Sequence, residues 1–278
     1  MSNRLTLTDL LNYTTVRIEV ETKDGNMASG TGFFFKFNES EKGYQPVIIT
    51  NKHVVEGAKS GAFYLNPTGN DGLPQSTNKK KLILNSQYED FEERWRFHPD
   101  ENVDLCVMGI TDVNYLFREK FGSNPFIHYL DSSMVITSAE LDKYSTIEDL
   151  YMVGYPNSLW DEYNNKPFIR KGITATDMKL DYNGKKEFAV DMACFPGSSG
   201  SPILIIHNTL KYDRYGNLFS TFNAIRIAGI LHAGPQHFFS SYTKDDELLP
   251  IYSKIPNNIG YAIKAERILE LEENYPSV

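Results

Sequence analysis

Three short segments, far apart in the chain, each carry one side chain that could take part in acyl transfer to a hydroxyl group. His53 follows an apolar run that ends at residue 49, Asp104 precedes another apolar run, and Ser199 lies in the sequence Gly-Ser-Ser-Gly-Ser-Pro. A serine hydroxyl becomes an effective nucleophile when a neighbouring base takes its proton, and histidine titrates near neutral pH without help. A carboxylate that accepts the Nδ1–H of this histidine fixes its tautomer and stabilises the imidazolium ion.

Each segment, taken singly, also has a purely structural explanation. His53 could be a hydrogen-bonded structural histidine, Asp104 a turn residue at a strand end, and the glycines around Ser199 part of a hairpin turn. The same glycines would, alternatively, let the backbone N–H groups of Gly197 and Ser199 converge on one point, as an oxyanion hole requires. Both explanations remain open for each segment by itself.

Short strands must position these three groups. Ten runs rich in Val, Ile, Phe, Tyr or Leu are bounded by Gly, Pro, Asn or Asp, and most gaps between them are too short for a helix. They cover residues 16–21, 32–37, 47–50, 81–84, 105–110, 150–153, 187–192, 202–206, 225–231 and 260–263. This pattern predicts an all-β barrel or sandwich. Strong helix formers at 264–273 predict a C-terminal helix, and residues 54–58 predict a single helical turn.

Composition argues against several classes of protein. A net charge of −8 argues against a nucleic-acid partner, because affinity for phosphate depends on clustered Lys and Arg. No apolar run is long enough for a signal peptide or a membrane span, so we expect a cytoplasmic protein without a membrane partner. Cys106 and Cys194 fit no metal-ligand spacing and are expected to be free thiols. No metal-binding or phosphate-binding motif is found, so no metal or other cofactor is expected.

The three segments together resemble a known family. Residues 50–57, 104–110 and 197–202 are similar, in the order His, Asp, Ser, to motifs of trypsin-like peptidases, particularly bacterial HtrA-type proteases and glutamyl endopeptidases. Gly30-Thr31-Gly32 resembles an early strand of that family, and the similarity extends over roughly residues 15–270. The resemblance implies the two-barrel chymotrypsin/trypsin-like fold. Residues 1–130 would form the N-terminal barrel, and residues 131–278 the C-terminal barrel with a helix at about 264–274.

The resemblance also implies a serine endopeptidase that acts on a protein or peptide substrate. The N-terminal barrel would carry His53 as the general base and Asp104 as its orienting carboxylate, and the C-terminal barrel would carry the nucleophile. The family register assigns the nucleophile to Ser199 and leaves Ser198 as the variable residue before it. Gly197 and Ser199 would provide the oxyanion hole.

Substrate-binding residues follow from the same register. Ala193 would lie at the base of the S1 pocket with Cys194 beside it, and a Lys or Arg side chain would find no counter-charge there. The strand His232-Ala233-Gly234 would pair with the substrate. A histidine reads acidic P1 residues in glutamyl endopeptidases, but His232 comes one residue later and is expected beside Asp104. A role in P1 recognition, or neither role, remains open for His232.

Two alternatives to an autonomous protease remain. The barrels could bind a peptide at an exposed strand without cutting it, or a regulatory protein partner could gate activity through surface loops. Residues 207–223 and 235–258 are predicted to be such surface insertions, and residues 121–133 are predicted to link the two halves.

Overall fold

The first half of the chain forms an eight-stranded sheet. The computed structural model describes residues 5–84, 90–212, 218–241 and 251–276. The strands of the first half are hydrogen bonded in the order β5-β4-β1-β2-β3-β7-β6, and β8 pairs with β2 in parallel. Their bounds are β1 (Thr15–Thr22), β2 (Met27–Ser40), β3 (Gly43–Thr50), β4 (Ala58–Leu65), β5 (Lys80–Leu84), β6 (Arg96–Phe97), β7 (Cys106–Gly109) and β8 (Leu130–Asp131).

The second half forms a closed barrel and a separate hairpin. The bounds are β9 (Asp149–Gly154), β10 (Phe168–Thr174), β11 (Glu187–Asp191), β12 (Pro202–Tyr212), β13 (Leu218–Ala233), β14 (Gln236–Ser241), β15 (Ile251–Pro256) and β16 (Ile259–Lys264). The barrel closes in the order β10-β11-β16-β13-β12-β9, and β14 pairs with β15. Together with the sheet of the first half and the C-terminal helix, this barrel confirms the predicted all-β fold.

Strand β2 is buried on both faces, which explains why its apolar residues run without alternation. Phe33 and Phe35 belong to a core cluster that also contains Ile263 of the second barrel. Phe34 belongs to the core of the first sheet, together with its cross-strand partner Ile48. All three phenylalanines are at most 2% exposed, and each buried ring contributes about 2 kcal/mol of transfer free energy. Strand β2 therefore contributes side chains to two core clusters, one of which also contains residues of the barrel.

The described residues include four α-helices. They are α1 (Leu7–Leu10), α2 (Lys52–Val55), α3 (Thr111–Phe121) and α4 (Arg267–Glu273). Short 3₁₀ turns lie at Leu11–Tyr13, Phe91–Arg94, Ser132–Met134, Ser138–Lys143, Pro156–Ser158 and Tyr182–Gly184. The predicted C-terminal helix is present, but it begins at Arg267 because Lys264 still belongs to β16.

Helix α3 was not predicted from the sequence. Its apolar contact with the core rests on Val113 and Phe117, which are four residues apart and both buried. The helix ends at Gly122, which adopts the left-handed conformation at φ +78. The segment predicted as a linker, 121–133, therefore begins at a helix end and includes β8. The predicted division into residues 1–130 and 131–278 stays a prediction.

The two predicted surface insertions are largely regular strands where the structure describes them. Residues 207–212 and 218–223 continue β12 and β13 as an antiparallel pair. Residues 236–241 and 251–256 form the β14–β15 hairpin. That these segments are surface insertions stays a prediction, and residues 213–217 and 242–250 lie outside the described residues. Across the described parts of the chain, no helix has both the length and the apolar character of a membrane span.

Candidate active site

Strand pairing brings His53 and Asp104 to the same end of the first sheet. Strand β3 ends at Thr50, and His53 lies in the short helix α2 that begins two residues later. Asp104 lies just before β7, and β7 pairs with β3 so that Cys106 is opposite Thr50. The side-chain amide of Asn51 donates a 2.7 Å hydrogen bond to the backbone carbonyl of Asp104. Both segments are thus held by the sheet.

The Asp104 carboxylate contacts His53 at two points. Its Oδ2 atom lies 2.5 Å from Nδ1 of the imidazole, and its Oδ1 atom accepts the backbone N–H of His53 at 3.1 Å. When Nδ1 carries the proton donated to Asp104, Nε2 is left as the basic nitrogen. The His53 side chain is 46% exposed, so the ring is accessible to a substrate. This arrangement suits a general base whose tautomer is fixed by a carboxylate.

The loop around Ser199 needs its two glycines. Gly197 and Gly200 adopt φ values of +83 and +85, a region that disfavours side chains. A Cβ atom on Gly200 would also lie 2.0 Å from the backbone oxygen of Thr31, and one on Gly197 would lie 2.6 Å from that of Tyr155. Neither position can therefore accept alanine without moving the loop.

Among residues 197–201, two backbone N–H groups have no acceptor in the described parts of the chain, and they belong to Gly197 and Ser199. By contrast, the N–H groups of Ser198, Gly200 and Ser201 all donate to backbone carbonyls at 2.8–3.0 Å. Unpaired N–H groups on either side of one residue are what the oxyanion of a tetrahedral intermediate requires. The loop can thus offer two donors beside the Ser199 hydroxyl.

Thr31 of β2 fastens this loop to the first sheet. Its N–H donates to the carbonyl of Ser199 at 2.9 Å, and its hydroxyl donates to the carbonyl of Gly197 at 2.9 Å. The same hydroxyl accepts the backbone N–H of Tyr155 at 3.1 Å, while Thr50 donates to the Thr31 carbonyl at 2.7 Å. Thr31 is fully buried. The loop that carries Ser199 therefore packs against the strand end that precedes His53.

The Ser199 hydroxyl shares no hydrogen bond with His53 within the described parts of the chain. Hydrogen bonds between catalytic groups are often long or poorly aligned without substrate and tighten when it binds. The structure shows direct contact for the His53–Asp104 pair only. The role of Ser199 as the third member of a triad is taken up below as a proposal.

A cavity of about 310 Å³ opens beside Ser199. Four of the five predicted substrate-binding residues line it, and the predicted pocket base, Ala193, is not among its lining residues. The backbone carbonyl of Ala193 instead accepts a hydrogen bond from Arg170. The cavity is lined by Cys194, Phe195, Pro196, Ser199, Leu231, His232, Ala233, Gly234 and Pro235.

His232 lines the cavity and lies close to one carboxylate. Its Nε2 atom is 3.4 Å from Oε1 of Glu187. Burial lowers the pKa of His232, while the carboxylates of Glu187 and Asp104 oppose that shift and the charge of His53 adds to it. The charges of His53 and Asp104 therefore both affect the pKa of His232, but Glu187 affects it more strongly. The predicted position beside Asp104 stays a prediction.

The sequence analysis did not identify three residues as part of the site. Thr31 stood in the Gly-Thr-Gly motif, so a small hydroxyl residue between two glycines was a usable signal. Glu187 and Arg170 lie in strands whose sequence gives no sign of what they contact. Only the folded barrel brings them to His232 and to the Ser199 loop.

Comparisons with known proteins bear on the same residues. The sequence model of the trypsin-like peptidase domain matches residues 30–209, which include all three candidate catalytic residues. A comparison with curated protein sequences finds no match.

Solved structures with a similar fold are proteases. The catalytically active tobacco etch virus protease complexed with product is 13% identical, with a TM-score of 0.50, over 100% of this chain and 86% of its own. The HtrA-type protease AlgW with tripeptide is 16% identical over 95% of this chain, with a TM-score of 0.48. A serine-to-alanine mutant of Rv3671c from M. tuberculosis H37Rv, in an inactive form, is 13% identical over 99% of this chain and 94% of its own, with a TM-score of 0.44. This chain spans 60% of the AlgW chain. At 13% identity, the similarity to the tobacco etch virus protease shows the fold alone.

Proposed function

Because the chain belongs to the trypsin-like peptidase family, we propose that it is a serine endopeptidase with His53, Asp104 and Ser199 as its catalytic triad. The observation that carries this proposal is the contact of the Asp104 carboxylate with ring atom Nδ1 and with the backbone N–H of His53. The unpaired N–H groups of Gly197 and Ser199 support it, because they can stabilise negative charge where the chemistry would produce it.

The proposed reaction proceeds through an acyl-enzyme. Oγ of Ser199 attacks the peptide carbonyl carbon while Nε2 of His53 takes the hydroxyl proton. The carbonyl oxygen becomes an oxyanion that accepts the N–H groups of Gly197 and Ser199. When the C–N bond breaks, His53 returns the proton to the leaving amine. Water, activated by the same histidine, then hydrolyses the ester bond and restores the Ser199 hydroxyl.

The cavity beside Ser199 supports a preference for uncharged P1 side chains. No carboxylate is present among its lining residues, so a buried Lys or Arg side chain would remain without a counter-charge. The thiol of Cys194 is itself neutral, because burial raises its pKa to about 11. We propose that the pocket takes small or medium side chains such as Ala, Val, Leu or Thr.

Hydrolysis by the isolated chain tests this proposal. Wild type and Ser199→Ala are compared on a small ester and on casein, and circular dichroism checks that both are folded. Loss of the nucleophile is expected to lower kcat by about 10³-fold or more. Equal activity of the two proteins would refute the proposal. Binding of peptides without hydrolysis, with or without cell extract, would favour a silent peptide-binding module, and hydrolysis only with extract would favour a partner-gated protease.

A further inference from the structure

A half-buried arginine from a different strand contacts both ends of the segment that precedes Ser199. Nη1 of Arg170, in β10, donates to the backbone carbonyl of Ala193 at 2.7 Å and to the hydroxyl of Ser198 at 2.8 Å. Ser198 is fully buried and directly precedes Ser199. One guanidinium nitrogen thus ties residue 193 to residue 198.

Arg170 has no carboxylate partner among the described residues. Burial lowers its pKa to about 10, and Cys194 is the one titratable group that opposes this shift. The guanidinium still carries its charge at neutral pH. Its Nε and Nη2 atoms are buried and donate to no atom of the described chain. The half-buried Arg226 and the buried Arg267, in contrast, pair with carboxylates. A buried charge without a counter-charge is costly, so Arg170 is a poor source of stability.

The segment between the two contacts of Arg170 contains Gly197, whose N–H must point toward the oxyanion in the proposed reaction. Residues 193–197 lie outside regular secondary structure. Gly197 lies between the two residues that Arg170 contacts. Its φ is +83, and without a side chain its backbone has few steric limits on rotation. The two contacts flank Gly197, and together with the hydrogen bond from Asn157 to the Pro196 carbonyl they restrict the direction of its N–H. The contact with the Ser198 hydroxyl restricts the residue that directly precedes the N–H of Ser199.

We propose that Arg170 is a positioning residue for the oxyanion hole: it holds residues 193–198 so that the N–H groups of Gly197 and Ser199 face the same point. This inference rests on the proposed function, because it assigns Arg170 a part in the same reaction. Arg170 is not among the residues that line the cavity beside Ser199, so it would act through the loop. Its removal should therefore impair formation of the tetrahedral intermediate more than binding of substrate.

The substitution Arg170→Met separates this role from a merely structural one. Methionine has a similar length and removes the charge and both hydrogen bonds. Removal of the unpaired charge favours folding, while the Ala193 carbonyl and the Ser198 hydroxyl lose a donor, so the two effects offset each other and the melting temperature is expected to change little. We expect kcat to fall by about 10²-fold, as for loss of one oxyanion donor, while KM changes by less than about threefold. Arg226→Met is the matched control, because that arginine pairs with Glu140 and with two backbone carbonyls away from the Ser199 loop. It should lower the melting temperature and leave kcat unchanged.

Two further variants test whether the contact with Ser198 carries the effect. Arg170→Lys keeps a cation and at least one donor, so it should retain more activity than Arg170→Met. Ser198→Ala should lower kcat by about tenfold, and adding it to Arg170→Met should cause almost no further loss, because the two side chains act through one bond. Fully additive effects of the two substitutions, or wild-type kcat in Arg170→Met, would overturn the inference.

Hydrogen exchange provides a readout that does not depend on turnover. The bonded amides of Ser198 and Ser201 should exchange faster in Arg170→Met than in wild type, and Arg226→Met should leave them unchanged. If wild type hydrolyses no substrate but Arg170→Met speeds this exchange, the loop-positioning inference stands and the proposed function fails. If wild type is active and Arg170→Met matches it in both kcat and exchange, the inference fails and the proposed function stands.

Discussion

Replacement of Thr31 by valine tests how the site is assembled from two halves of the chain. Valine keeps the shape of threonine but loses the hydroxyl, which donates to Gly197 and accepts from Tyr155. Thr31 and Tyr155 are 0% and 2% exposed, so solvent has little access to the groups left behind. The carbonyl of Gly197 would lose a donor, and the N–H of Tyr155 would lose its acceptor.

The magnitude follows from those two orphaned groups. A buried polar group without a partner costs about 1–3 kcal/mol, so the two groups orphaned by Thr31→Val should lower the free energy of unfolding by about 2–6 kcal/mol. For a chain of this size, each kcal/mol corresponds to about 2–4 °C, which gives a fall in melting temperature of about 4–24 °C. Because Gly197 carries one of the proposed oxyanion donors, kcat should also fall by about 10–100-fold.

Calorimetry and steady-state kinetics on one preparation would check both effects. Thr31→Ser is the matched control, because it keeps the hydroxyl and loses one methyl group. It should stay within about a few degrees and a few-fold of wild type. A Thr31→Val protein with wild-type melting temperature and wild-type kcat would show that the hydroxyl does not hold the loop in place.

Three further predictions concern the His53–Asp104 pair, acid stability and specificity. Asp104→Asn should lower kcat by about 10³–10⁴-fold with little change in KM, because an amide NH₂ facing Nδ1 favours the wrong tautomer of His53; a loss below about tenfold would contradict this role. Burial lowers the pKa of His98, His128 and His232, so the unfolded chain binds more protons and the free energy of unfolding should fall as the pH drops below about 6.5. Urea unfolding at pH 7 and pH 5 measures this, and His98→Gln should reduce the difference; equal stability at both pH values would contradict it. A peptide library should show cleavage after small or medium uncharged residues, and strong cleavage after Lys or Arg would refute the pocket assignment.

The sequence was informative about the fold where local patterns determine the structure. The short apolar runs with turn residues at their ends gave most of the strands, and the helix formers after β16 gave α4. Helix α3 was not predicted because only Val113 and Phe117 mark its buried face, and its first turn contains residues that also favour loops. The extension of β12 and β13 beyond the barrel was also not predicted, because its sequence contains polar residues that are common in loops.

The candidate site likewise contains some residues that the sequence predicted and others that it did not. His53 and Asp104 each lie at the end of a recognisable strand, so their proximity follows once β3 and β7 are paired. Arg170 and Glu187 could not have been predicted, because their contacts depend on how β10 and β11 curve around the barrel. A single polar side chain in a half-exposed strand has no local signal that distinguishes a surface position from a contact with the Ser199 loop.

Covalent labelling by a phosphonate probe tests the central claim most directly. Such a probe reacts with a serine whose hydroxyl is activated by a neighbouring base, and peptide mass spectrometry identifies the modified residue. We expect one adduct per folded chain, on Ser199, and no adduct in Ser199→Ala, in His53→Ala or in the denatured chain. Ser198→Ala should still be labelled at Ser199. An adduct on Ser198, or no adduct on a wild-type protein that hydrolyses peptides, would contradict the assignment of Ser199 as the nucleophile.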